Sequence, residues 1–175
     1  MLIGIIDNFI ESEKLYDFER NYVERGHLKI AFINGGDDRL NLGFHGFTQC
    51  IKEKDFEEIP LVSDIYKKII PIAKEMKQKI HRWHFNLAPP SFDGTVHPDC
   101  ATDNVTFIFC SSPEWHFSWG GELILYNKDY EAKQAVSYKP GRLIMINGSY
   151  PHRGLSAYRL INKVRTTIAF QTEDL

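Results

Sequence analysis

Cysteine is scarce in this chain. Cys50, Cys100 and Cys110 are its only three in 175 residues, an odd number without Cys-x-x-Cys spacing, which excludes a disulfide framework or a thiolate metal site. Long apolar runs are also missing, and none approaches the ~18–20 residues of a membrane span. The opening run, residues 2–6, has no basic flank and stops at Asp7, so it does not read as a secretory signal. Charge of either sign is not in excess: a net −2 gives no global field toward nucleic acid or an anionic membrane. Repeats, low complexity and linker composition are absent, so no domain boundary is drawn. These absences predict one reduced, intracellular, soluble (cytoplasmic) domain with neither a nucleic-acid nor a membrane partner. Oligomeric state has no signature.

Apolar residues make up 43% and aromatics 13% of the chain, enough for a folded core and for a groove rich in rings. Residues 2–6 read as a short strand. A helix fits 11–25, with Ser12 as its cap, Leu15, Phe18 and Tyr22 on one face, and Gly26 as its stop. Extended segments near 29–33 and 41–48 flank a turn at 34–38. A second helix fits 61–80, with Val62, Ile65, Ile69, Ile72, Met76 and Ile80 on one stripe. Pro71 should kink or split it, and Lys67, Lys68, Lys74, Lys77 and Lys79 form a solvated face. Strand-like runs then follow at 80–88, 95–99, 104–110, 121–127, 134–138, 142–147 and 163–171. Helices first and strands afterwards predict a mainly β (α+β) fold, an antiparallel sandwich or barrel with helices packed outside.

Chemistry concentrates at His97-Pro98-Asp99. On an extended strand, residues two apart share a face, so the imidazole and the carboxylate can bind one divalent ion. His152, just past a turn, is the best third ligand. Two histidines and a carboxylate on one side of an ion leave positions open, which points first to non-haem Fe(II) oxygenase chemistry, with catalytic zinc as the competitor. Along 163–171, Arg165, Thr167, Ala169 and Gln171 share a face. A guanidinium there can grip the remote carboxylate of a dicarboxylic co-substrate through two parallel hydrogen bonds, and Thr167 can add a third. His81 and His84 have i, i+3 spacing, which splits across a strand, so they are not read as ligands. His27, His45 and His116 read as surface or groove residues. Gly120 and Gly121 read as a bend entering a strand, and Trp83, Trp115, Phe117 and Trp119 as core and rim packing.

Together, His97-Pro98-Asp99, Trp115 followed by Trp119-Gly120-Gly121-Glu122-Leu123, Lys139-Pro140-Gly141-Arg142-Leu143 leading to Pro151-His152, and Arg165-Thr166-Thr167 resemble the 2-oxoglutarate- and Fe(II)-dependent dioxygenases, prolyl 4-hydroxylase-like branch. The resemblance spans about 80–171, in family order. It implies a double-stranded β-helix (jelly roll, cupin-like) core at about 80–171 with helical support from about 1–80, within a single domain over 1–175. It implies His97, Asp99 and His152 as catalytic Fe(II) ligands and Arg165, aided by Thr167, as the 2-oxoglutarate contact. Asn86, on the strand before the metal pair, is a further co-substrate contact by the same likeness. O2 is the oxidant and ascorbate a reductant. The reaction implied is hydroxylation of a C–H bond with release of succinate and CO2, on peptidyl proline. A free amino acid or small metabolite as substrate, and a non-catalytic jelly-roll module that binds metal or 2-oxoglutarate, are the alternatives. The spacing from His152 to Arg165 exceeds the family's usual one, which makes Arg159 a rival for the carboxylate. Where nucleic-acid dealkylases of the superfamily carry a second arginine, this chain has Gln171. The loops at 34–40 and 89–94 are candidate lids.

Overall fold

The computed structural model describes residues 1–24, 31–32, 47–50 and 59–175, and for 31–32 and 47–50 the backbone only. The turn at 34–38, the loop at 34–40, His27 and His45, and most of the extended segments expected around them lie outside those residues.

Among the described residues the fold is mainly β, with two α-helices and antiparallel sheets. The strands are β1 (Leu2–Ile6), β2 (Ala31–Phe32), β3 (Phe47–Cys50), β4 (Gln78–Ala88), β5 (Val105–Cys110), β6 (Leu123–Tyr126), β7 (Ala132–Val136), β8 (Leu143–Asn147), β9 (His152–Gly154) and β10 (Arg165–Asp174). They form a larger sheet ordered β1-β8-β5-β10-β4-β3-β2 and a smaller one ordered β7-β6-β9. The smaller sheet is extended beyond β9 by the chain before His97. There Gly94 N–H donates to Gly154 O (2.9 Å), and His97 and His152 exchange backbone hydrogen bonds of 3.1 and 3.0 Å.

Both faces of the central strands β5, β8 and β10 are covered, which explains their unbroken apolar runs. On one face Trp83, Phe85, Phe107, Phe109, Ile168 and Phe170 pack with Leu15 and Phe18 of α1 (Ser12–Phe18) and with Val62, Ile65 and Ile69 of α2 (Pro60–Glu75). Each such side chain, buried from water, contributes roughly 1.5–3 kcal/mol. On the other face Ile108, Cys110, Ile144 and Ile146 meet Leu123, Leu125, Val136 and Tyr138 of the smaller sheet and its continuation. The candidate site lies on this inner face.

Several local expectations are corrected. Ser12 opens α1 rather than capping it: Glu11 holds the cap position without a side-chain hydrogen bond, and the helix passes into a wider π-type turn at Glu19–Val23. Pro60 opens α2, where a missing N–H costs nothing, and Pro71 does not split it. Pro71 is exposed, so the carbonyl it leaves without a donor can turn to water. The helix ends at Glu75 rather than near residue 80, because Lys77 takes φ +58° and β4 begins at Gln78. The lysines at 67, 68, 74, 77 and 79 are exposed, as expected of a solvated face. Residues 95–99 do not form a continuous strand: His97 alone bridges to His152, and the chain bends at Asp99, whose N–H bonds Gly148 O at 2.8 Å.

Candidate metal centre

His97, Asp99 and His152 come together. One ligand atom from each lies within 4.8 Å of the others. His97 Nε2 is 3.7 Å from Asp99 Oδ1, and His152 Nε2 is 3.4 Å from Asp99 Oδ2. The cause is the pairing of His97 with His152 across the edge of the smaller sheet, with Leu125 of β6 opposite His152 on its other side. The bend after His97 then brings the carboxylate back to the two rings.

The donor set suits a divalent first-row metal. Each histidine has its Nδ1 beside the carbonyl two residues earlier: His97 to Thr95 O at 2.9 Å and His152 to Tyr150 O at 3.1 Å. Those carbonyls can only accept, so Nδ1 carries the proton and Nε2 keeps the lone pair that can ligate a metal. Asp99 is anchored at both oxygens: Thr106 Oγ1–H donates to Oδ2 at 2.7 Å and Gln171 Nε2–H to Oδ1 at 2.8 Å. Burial works against its charge, but the imidazole of His152, the Thr106 hydroxyl and His97 outweigh it and hold the carboxyl below its ordinary range. Burial pushes the His152 imidazole down, which favours the neutral form that ligates. Neither Thr106 nor Gln171 was singled out as an anchor from sequence, although Gln171 was placed on the correct face.

Register lays out the inner face of the larger sheet in rows. Directly opposed residues of antiparallel strands share a face. Arg165 stands opposite Ala88; Thr167 lies between Asn86 and Cys110; Ala169 between His84 and Ile108; Gln171 between Arg82 and Thr106. Arg165 is buried, at 5% exposure. Its Nε–H donates to Gly121 O at 2.9 Å, and its guanidinium lies 5.1 Å from the centre of the Tyr138 ring. A Cβ on Gly154 would stand 3.0 Å from Nη1, and one on Gly121 would stand 2.8 Å from the Trp115 ring. These glycines make room for the arginine, and Gly121, at φ +85°, is also the bend entering β6. Among the described residues no carboxylate lies within ion-pair distance of Arg165. Arg159, its rival, is exposed.

The remaining sequence candidates divide. Thr167 is buried and, like Asn86, sits on the inner face. His81 and His84 fall on opposite faces of β4, with His81 exposed. His84 turns inward, which the sequence reading did not use. Its Nδ1 is buried without a hydrogen-bond partner among the described residues. Burial, only partly countered by Asp99, pushes His84 down to about 4, so the ring is neutral at neutral pH. Trp83 is core, whereas Phe117 is 83% exposed.

Solved structures resemble this chain over nearly its whole length. A prolyl-4-hydroxylase from Pseudomonas putida is 17% identical, with TM-score 0.64, covering 98% of this chain and 92% of that one. A prolyl hydroxylase from Trichoplax adhaerens is 20% identical, with TM-score 0.71, covering 98% and 83%. A non-haem alpha-ketoglutarate-dependent carbocyclase of nogalamycin biosynthesis is 11% identical, with TM-score 0.69, covering 97% and 78%. This is the 2-oxoglutarate/Fe(II) oxygenase fold. No family model matches the sequence, and no curated protein matches it. The oxygenase fold therefore rests on shape, and at these identities shape leaves the reaction to be argued from the site. No described helix is long and apolar enough to cross a membrane.

Proposed function

We propose that this chain is an Fe(II)- and 2-oxoglutarate-dependent dioxygenase that hydroxylates a peptidyl residue, with proline as the first candidate. The observation that carries the reading is a pairing: two histidine Nε2 atoms and a doubly anchored carboxylate converge, and a buried guanidinium with no carboxylate partner among the described residues lies against Gly154, two residues along β9 from His152. The strand order β8-β5-β10-β4 facing β7-β6-β9 and the 94–97 segment supports a double-stranded β-helix for the core.

In this reading His97, Asp99 and His152 hold the iron on one side and leave the opposite side open. When bound, Fe(II) with 2-oxoglutarate and O2 supplies the oxidising power, splitting the co-substrate into succinate and CO2 and leaving one oxygen atom for the substrate C–H bond. Arg165 binds the far carboxylate of the co-substrate through its two terminal nitrogens. Gly121 O and the Tyr138 ring fix the plane of that fork, and Thr167 lies one row nearer the metal. Ile108, Leu123, Leu125 and Ile144 are buried between the two sheets, and apolar walls of this kind keep water from a reacting centre.

Two observations support a peptide as substrate. The Trichoplax adhaerens structure is in complex with a hypoxia inducible factor oxygen degradation domain peptide fragment. In this chain the segments that follow β9 and precede β6 carry exposed Phe117, Tyr158 and Leu160, and they are joined by Tyr158 N–H to Trp119 O at 2.8 Å. The test is succinate release from 2-oxoglutarate with Fe(II), in the presence of proline-containing peptides, free amino acids or neither. Peptide-stimulated turnover supports the proposal. Stimulation by amino acids alone moves the substrate to small metabolites, and no stimulated turnover with any candidate leaves a metal- and 2-oxoglutarate-binding module.

A further inference from the structure

Arg165 and Gln171 are three rows apart on β10, roughly 20 Å, but the guanidinium reaches across to β9, where a Cβ on Gly154 would meet Nη1 at 3.0 Å. Gly154 and His152 are two residues apart on β9, about 6.6 Å, close to the length of a five-carbon dicarboxylate, so the arginine head and His152 of the metal cluster mark the two ends. Between Thr167 and Gln171 lies the row of His84, Ala169 and Ile108. Two of its side chains are purely apolar, and Ala169 is short enough to leave space above the sheet. Among the side chains described in that row, the polar group is the imidazole of His84.

The ring's own surroundings set which nitrogen is the donor. Nδ1 is buried with no partner among the described residues, and a buried donor without an acceptor is rare in folded proteins. A neutral imidazole carries a single N–H, so the proton sits on Nε2, at the ring edge away from the enclosed Nδ1.

We propose that His84, through Nε2–H, hydrogen-bonds the metal-side carboxylate of the bound keto-acid co-substrate, so that the co-substrate is held at both ends, by Arg165 and by His84. The inference rests on the oxygenase reading above. It assigns to His84 a contact with the co-substrate, and His84 is not a fourth metal ligand.

The experiment uses the full chain loaded with Mn(II) under conditions without turnover, titrated with 2-oxoglutarate by calorimetry. Metal affinity is measured separately, for wild type, H84L, H84S and H84Q. Losing a hydrogen bond to a charged oxygen should raise the 2-oxoglutarate Kd of H84L and H84S ~10-fold or more, with Mn(II) affinity unchanged and with most of the loss restored in H84Q, which regains an N–H. Anaerobic Fe(II) protein supplies a second readout: the visible charge-transfer band of the Fe(II)–keto-acid chelate should shift in H84L and H84S and return toward the wild-type position in H84Q. Unchanged 2-oxoglutarate affinity in both H84L and H84S, or an equal fall in Mn(II) affinity, would overturn the assignment while leaving the oxygenase reading in place. Failure of the wild-type protein to bind 2-oxoglutarate in a metal-dependent way would instead remove both.

Discussion

Replacing Arg165 by methionine separates stability from ligand binding. Among the described residues the buried guanidinium has one hydrogen bond, Nε–H to Gly121 O, and one ring contact, to Tyr138. Taking such an ion out of water costs several kcal/mol even after relaxation. Against this stand ~1.5–3 kcal/mol for a hydrogen bond to a charged donor and ~0.5–2 kcal/mol for the cation–π contact. The terms nearly cancel, so Arg165→Met should unfold within about 1 kcal/mol of wild type. That amounts to a shift of a few degrees at most, at ~2–4 °C per kcal/mol for a domain of this size. Ligand binding should respond very differently. Two charged hydrogen bonds to the far carboxylate, at ~1.5–3 kcal/mol each, correspond to a 2-oxoglutarate Kd raised about 100-fold or more. Urea unfolding and calorimetry on Mn(II) protein read the two quantities separately. Loss of more than about 3 kcal/mol of stability, together with near wild-type 2-oxoglutarate binding, would show that Arg165 is a structural cation and refute the reasoning.

Other expectations follow from the same geometry. Gln171→Leu removes one of the two anchors of Asp99 and should weaken Mn(II) binding by roughly 10–100-fold, read by competition with a chelator; unchanged affinity would show that Thr106 alone suffices. Ile69, on the sheet-facing side of α2, is fully buried, so Ile69→Ala should cost about 2–5 kcal/mol in urea unfolding. Asp7 is held at about 2 by its hydrogen bonds to Arg142 and Lys139, below the ~3.9 of an unfolded aspartate. Its contribution is therefore complete above the unfolded value and fades as pH falls from about 5 toward 2. Asp7→Asn should be less stable than wild type at pH 7 and nearly equal to it close to pH 2.

The parts of the site legible in sequence were those with short-range signatures. His97 and Asp99 were readable as a pair, and Arg165 and Gln171 as two residues of one strand face. The third ligand depended on β9, which has only three residues, His-Arg-Gly, with no strand-forming composition, so it read as the end of a turn. It becomes a strand because β6 and the 94–97 segment flank it. The Thr106 anchor was hidden because it depends on Asp99 bending back toward β5, a tertiary event. His84 was set aside on its spacing to His81, whereas its alternation with Asn86 on β4 already placed it on the inner face. Pro71 was expected to disrupt α2, and solvent exposure on the outer side of the helix removed the penalty.

The central claim is that His97, Asp99 and His152 hold one metal ion between them. Diffraction at the iron absorption edge from crystals soaked anaerobically in Fe(II) tests it most directly. One strong anomalous peak is expected at bonding distance from both Nε2 atoms and from an Asp99 oxygen, lost in a His152→Ala crystal soaked in the same way. Full loading with the peak elsewhere, or a peak that survives loss of His152, would contradict it.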